Sequence, residues 1–237
     1  MKLNCDVGEG VVTDKDVIPF IGQANIACGL HAGDAHIMSE TIRLAKVNGV
    51  QIGGHPSYND RENFGRLPVA LSAIQIKQLI CYQLGALQSL AALHQAKVEY
   101  VKPHGALYNQ MMVDEVIFTA IVEALSSFKQ PLQLMILARP DLQKYQQIAQ
   151  KHGVPLLLEA FADRAYDDAG YLLPRSEAGA LLATTEQVEA QVKQLIEDST
   201  ITTISGNRIT LQVDSICVHG DNPVAVQQIQ SLAALIR

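Results

Sequence analysis

The stretch Val101-Lys102-Pro103-His104-Gly105-Ala106-Leu107-Tyr108-Asn109 decides how this chain is read. A short strand, Tyr100–Lys102, ends on an ammonium and runs into a tight turn of proline, histidine and glycine. Burying an unpaired ammonium is costly. Lys102 at a strand end therefore points to a ligand contact, or to an internal ion pair with Asp6 or Glu159.

Outward from this stretch the same arrangement recurs. Lys2–Asp6, Gln23–Ala27, Val50–Gly54, Leu132–Leu137, Leu156–Phe161 and Ser215–Val218 read as further strands. Longer segments of helical period alternate with them, the mark of a parallel α/β fold. Asp34 is placed to cap a helix running towards Asn48, with Gly49 at its stop. Ser72 and Gln75 form a capping-box pattern ahead of a helix to about His94. Pro140 suits a first helical turn ending at Gly153, and Asn222-Pro223 opens the last helix. Ile201–Val213, with Gly206-Asn207 in its middle, predicts a β-hairpin before the last strand. No linker rich in Pro, Gly or Ser divides the chain, so residues 1–237 are expected to form one domain.

Composition agrees. Of 237 residues, 48% are hydrophobic and 18% charged, a balance that supports a large buried core rather than disorder. A net charge of -6, without blocks of like charge, argues against nucleic acid or a membrane surface as partner. No secretory h-region opens the sequence and no apolar run nears the ~18 residues that span a bilayer. The expected location is the cytoplasm. Cys5, Cys28, Cys81 and Cys217 form no CxxC pair and read as reduced thiols.

Such βα units can close into a barrel or lie in an open sheet. Two features favour the barrel. Neither G-x-G-x-x-G nor G-x-x-x-x-G-K-[ST] occurs, and chemically capable residues follow nearly every strand, as they would if strand ends ringed one pocket. After the first strand come Asp6 and Glu9, with Asn4 and Asp6 on one strand face. The second gives Asn25 and His31; the third His55, Arg61 and Arg66; the fourth Lys102, His104 and Tyr108. The sixth gives Glu159, Asp163 and Arg164, and the last His219.

Hydrolytic chemistry would need an activated water, an oxyanion stabiliser and an acid for the leaving group. Asp6, His55, Lys102, His104 and Asp163 are the candidate catalytic groups. Asn4, Asn25, His31, Arg61, Arg66, Tyr108, Glu159, Arg164 and His219 are the candidate binding groups. The glycines beside them would let backbone approach a ligand. Each also has a structural reading: Asp6 as a turn residue, the arginines as loop anchors, Cys5, Cys28 and Cys217 as packing. Asp6, His31 and His55 would also offer one carboxylate and two imidazoles to a hydrolytic divalent metal; the sequence leaves that open. His36, five residues after His31, lacks the spacing of a second ligand on one helix face.

Several blocks resemble the LamB/YcsF family. They are Asn4-Cys5-Asp6-Val7-Gly8-Glu9, Asn25–Asp34, His55-Pro56-Ser57-Tyr58, Val101–Asn109, Glu159–Arg164 and Ser215-Ile216-Cys217-Val218-His219-Gly220-Asp221. They run in order through almost the whole chain. The resemblance implies a seven-stranded (β/α) barrel of the glycoside hydrolase/deacetylase type. It also implies a hydrolase acting on a cyclic amide, the A component of a 5-oxoprolinase that works with subunits B and C. That complex would open the 5-oxoproline lactam to L-glutamate with ATP as co-substrate. The absence of a Walker motif suggests that the partners contribute to phosphorylation. A metal-dependent deacetylase on the same barrel and a non-catalytic lactam-binding scaffold are the alternatives.

Overall fold

Strands of a parallel sheet packed on both faces are buried throughout, and Gln23–Ala27 is buried at all five positions. A computed structural model describes residues 1–10, 13–218 and 223–236, with the backbone alone for 223–226. The barrel strands are β1 (Lys2–Val7), β2 (Gln23–Ala27), β3 (Gln51–His55), β4 (Val98–Val101), β5 (Gln133–Leu137), β6 (Leu156–Phe161) and β9 (Ser215–Cys217). They close in the order β1-β2-β3-β4-β5-β6-β9, all parallel. Closure rests on β9, which aligns Cys217 with Asn4 of β1 and Ser215 with Glu159 of β6. The seven-stranded barrel is therefore as expected. β7 (Thr200–Thr202) and β8 (Arg208–Thr210) form the predicted hairpin, with Ile201 opposite Ile209.

The helices among the described residues are α1 (Asp14–Val17), α2 (Ala35–Val47), α3 (Ala73–Leu93), α4 (Gly105–Met111), α5 (Glu115–Ser126), α6 (Gln143–Lys151), α7 (Thr185–Asp198) and α8 (Pro223–Ile236). A 3-10 turn, Ile18–Phe20, follows α1. Asp34 caps α2 by accepting from Ile37 N at 2.9 Å, and Ser72 with Gln75 forms the capping box of α3. The reading of α6 needs correcting: it starts at Gln143, beyond Pro140. Pro140 packs against Gly170, and the neighbouring Arg139 guanidinium lies 3.5 Å over the Tyr171 ring. The proline seats the loop after β6 instead of opening a helical turn. Helices α4, α5 and α7 fill connections for which the sequence reading draws none. His219, Gly220, Asp221 and Asn222 lie outside the described residues.

The adjacent glycines of β3 serve packing rather than a ligand. Side chains alternate across a strand, so the two positions open space on opposite faces. A Cβ on Gly53 would stand 2.2 Å from Cζ of Tyr100, inside the barrel. On Gly54 it would stand 2.4 Å from Cδ2 of Leu84, on the side of α3. The first glycine admits the ring that supports the barrel interior; the second lets α3 close on the sheet. Gly53→Ala should lower stability by roughly 1–3 kcal/mol through overpacking, read as a lower denaturation midpoint in urea. An unchanged midpoint would show that the Tyr100 ring is not held in place.

Candidate active site

Alternation along β1 points Leu3, Cys5 and Val7 into the apolar layer around the barrel and leaves Asn4 and Asp6 facing inward. There they meet residues from four other strands or strand ends. Asn25 Nδ2 donates to Asn4 Oδ1 and to Asp6 Oδ1, both at 2.8 Å. Tyr100 OH donates to Asn25 Oδ1 at 2.7 Å, and Asn4 Nδ2 donates to Ser215 Oγ at 2.8 Å. Lys102 Nζ reaches Glu159 Oε1 at 2.8 Å, Asp6 Oδ1 at 3.1 Å and Asn4 Oδ1 at 3.3 Å. Tyr108 OH donates to Glu159 Oε2 at 2.9 Å. Lys102 thus pairs with both carboxylates at once. Burial disfavours its ammonium, but Asp6 and Glu159 outweigh that and hold its pKa well above the ordinary lysine value.

Above this network the histidines gather. His55 ends β3, His31 follows β2, and His104 is the N-cap residue of α4. Gly8, at φ +72°, breaks the alternation of β1 and brings Glu9 round to them. His31 Nε2 lies 3.1 Å from Glu9 Oε1, and His104 Nδ1 lies 2.9 Å from His55 Nε2 and 3.6 Å from Glu9 Oε1. The His31 and His104 rings stack, centroids 3.8 Å apart and 5° from parallel. Asp6 Oδ2 stands 3.3 Å from His55 Nε2. Burial, assisted by the neighbouring His55, pushes the pKa of His31 and of His104 down to about 3.

These groups form the floor of a cavity of about 930 Å³, within the upper range of ligand sites. Asp6, Glu9, His55, Lys102, His104 and Tyr108 line it below, and Phe161, Arg66, Arg164, Arg175, Leu67 and Pro174 contribute to its walls. Of the predicted residues, Asn4, Asn25, His31 and Glu159 lie behind that lining and hold it in place. Asp163 is half-buried and is not among the described lining residues. Arg61 donates to the carbonyl oxygens of Gly29 and Gly33, which anchors the loop before α2. Arg164 lines the cavity but also donates to the Leu173 and Ala180 carbonyls. His219 lies outside the described residues. Burial raises the thiol pKa of Cys5 and Cys217 well above the ordinary value and that of Cys28 to about 12, and Cys217 Sγ also accepts from Lys102 Nζ at 3.2 Å.

The anticipated metal-ligand set also changes. The donors gathered within 4.8 Å of one another are Glu9, His31, His55 and His104, not Asp6 with two histidines. Asp6 Oδ1 is engaged by Lys102 and Asn25, and only its Oδ2 approaches a histidine, His55. Sequence reasoning gives Glu9 no role of its own; its signal is a carboxylate between two glycines just past a strand end. Ser57 is also new. It contacts His31 Nδ1 at 2.9 Å and is itself held by Gln83, which accepts from Ser57 N and donates to its carbonyl, both at 2.9 Å.

The buried histidines set a pH dependence. Unfolded, each titrates near 6.5; folded, His31 and His104 take a proton only near 3. Across that window the unfolded chain holds more protons, so stability falls as pH is lowered through it. Each histidine contributes up to about 1.4 kcal/mol per pH unit. The melting temperature should therefore drop from about pH 7 to about pH 5, with a shallower slope in His104→Asn. A flat profile would contradict the burial of neutral imidazoles.

Comparison with known proteins supplies the family. The LamB/YcsF family signature matches residues 1–237. A Vibrio cholerae protein, named as the A subunit of 5-oxoprolinase, is 47% identical over 100% of this chain and 97% of its own length. A Pseudomonas fluorescens protein of the same name is 42% identical over 98% of this chain and 95% of its own. The crystal structure of a lactam utilization protein from Thermus thermophilus superposes with a TM-score of 0.90 at 32% identity, over 100% of this chain and 96% of that one. With the family signature matched over residues 1–237 and the barrel superposed over its full length, the chain belongs to the LamB/YcsF family.

Proposed function

We propose that this chain, as one barrel domain over residues 1–237, is the A subunit of an ATP-dependent 5-oxoprolinase. It works in the cytoplasm with subunits B and C and opens the 5-oxo-L-proline lactam to L-glutamate. The observation that carries this reading is the polar floor of the cavity, found in a chain 47% identical over its full length to the A subunit of a 5-oxoprolinase. No transmembrane candidate exists among the described helices, which fits a role on a small soluble metabolite.

A five-membered lactam is a weak electrophile, and phosphorylation of its amide oxygen would withdraw electrons from the carbonyl carbon. The chain has neither of the two nucleotide-binding glycine motifs, so the partners contribute to that step and this cavity receives the activated ring. Asp6, open to the cavity and 3.3 Å from His55, takes the proton of the attacking water, and His55 helps to fix its orientation. Lys102 acts as a positioning residue, its charge committed to Asp6 and Glu159. His104 and Tyr108 border the ring, and Arg66 and Arg164 supply cationic character for its carboxylate or phosphoryl group. Asp163 and Arg61 are not among the described residues that line the cavity.

A second reading, a metal-dependent amidohydrolase or deacetylase, draws support from the four converging donors. Glutamate release from 5-oxoproline distinguishes them, measured with and without ATP for the chain alone and with subunits B and C. Release is expected only from the ATP-containing mixture. Asp6→Asn should lower it about 10²–10⁴-fold, the range for loss of a general base, with folding checked by circular dichroism. ATP-independent hydrolysis by the isolated chain would transfer the case to the amidohydrolase. Full activity of Asp6→Asn would leave the chain a binding scaffold.

A further inference from the structure

Hydrogen-bond partners decide which nitrogen of each buried histidine carries a proton. His55 Nδ1 lies 2.7 Å from the carbonyl oxygen of Lys102, and His104 Nε2 lies 2.8 Å from that of Phe64. A carbonyl only accepts, so both nitrogens carry hydrogen. The Ser57 hydroxyl donates to the Tyr58 carbonyl at 2.9 Å, so towards His31 Nδ1, also 2.9 Å away, it can only accept. In neutral form each ring keeps one bare nitrogen: Nε2 of His31, Nε2 of His55 and Nδ1 of His104.

Those bare nitrogens face acceptors. His55 Nε2 and His104 Nδ1 are 2.9 Å apart, and His31 Nε2 is 3.1 Å from Glu9 Oε1. Lone pairs opposed at such distances repel unless positive charge lies between them. One proton cannot serve both contacts. Two protons would place two imidazolium charges in a buried cluster whose His31 and His104 rings stack at 3.8 Å. A single divalent ion supplies the same charge at one point and uses every lone pair. The carboxylates of Asp6, Glu9 and Glu159 around the cluster favour a cation there.

We infer that Glu9, His31, His55 and His104 bind one divalent first-row transition-metal ion through Oε1, Nε2, Nε2 and Nδ1. An ion with bonds near 2.0–2.1 Å holds neighbouring tetrahedral ligands about 3.3 Å apart. Three of the six separations, 2.9, 3.1 and 3.6 Å, bracket that value, and all four donors lie within 4.8 Å of one another. Three imidazoles with one carboxylate favour zinc or a similar ion over magnesium or calcium. The Lys102 and Phe64 carbonyls and the Ser57 hydroxyl are the outer partners that orient metal-binding histidines.

The test reads binding, not turnover. The full chain, stripped with a chelator, is titrated with Zn²⁺ by calorimetry and with Co²⁺ by visible absorption. One ion per chain is expected, with a rise in melting temperature. Glu9→Gln and His104→Ala should abolish stoichiometric binding, Ser57→Ala should weaken it about 10–100-fold, and His94→Ala, at the far end of α3, should leave it unchanged. No binding by the wild-type chain would overturn the inference, as would stoichiometric binding retained by folded Glu9→Gln and His104→Ala. Should those variants not fold, X-ray absorption of the zinc-loaded wild type decides: three imidazole ligands support the site, and fewer than three refute it. Either failure leaves the lactam reading intact, because glutamate release is measured separately.

Discussion

The ammonium of Lys102, buried between Asp6 and Glu159, is the interaction on which the site depends. It joins the ends of β4, β1 and β6 in a single contact set. A buried charge with one partner removed costs about 3–5 kcal/mol, so none of the three can change alone without loss. The pairing also fixes what surrounds it. Glu159 has its second oxygen engaged by Tyr108, and Asp6 is held by Asn25, itself held by Tyr100. The result is a stiff polar layer inside an apolar barrel, with Asp6 as the carboxylate presented to the cavity.

The histidine cluster rests on that layer and is closed from above by loops. His55 is its hinge: one nitrogen is held by the Lys102 backbone, and the other faces His104 and Asp6. His104 depends in turn on a close approach of two loops. Gly105, at φ +55°, would place a Cβ 2.5 Å from the Gly65 carbonyl oxygen, and that carbonyl accepts from Ala106 N at 3.0 Å. A side chain there would part the loop after β3 from the start of α4 and move His104 off Phe64. The tight His-Gly turn is thus a requirement of loop contact as much as of local turn chemistry.

Packing and chemistry use the same short segments. In β3, Gly53 admits the Tyr100 ring, Gly54 admits Leu84, and His55 follows at once with its ring in the site. In β1, Leu3, Cys5 and Val7 seal the outer layer while Asn4 and Asp6 carry the inner one. A barrel strand has no spare face, so the residues that tune the floor are fixed by the same alternation that builds the core.

The sequence alone determined the seven strands, several helix starts and the set of strand ends that carry ionisable groups, because alternation and capping are local. Asp34 and Ser72 announce their helices, and Lys102 announces a buried partner. Pairing across the barrel is not local. Only the closed structure decided that Lys102 takes both Asp6 and Glu159, and that Asn4, Asn25 and His31 stand behind the cavity lining. It also placed Arg61 on loop carbonyls and turned Glu9, past the break at Gly8, into the histidine cluster. Pro140 shows the same limit, since its packing against Gly170 comes from a loop some thirty residues away. Periodicity specifies which face a residue takes; the distance between two such faces is set only when β9 closes the ring between β6 and β1.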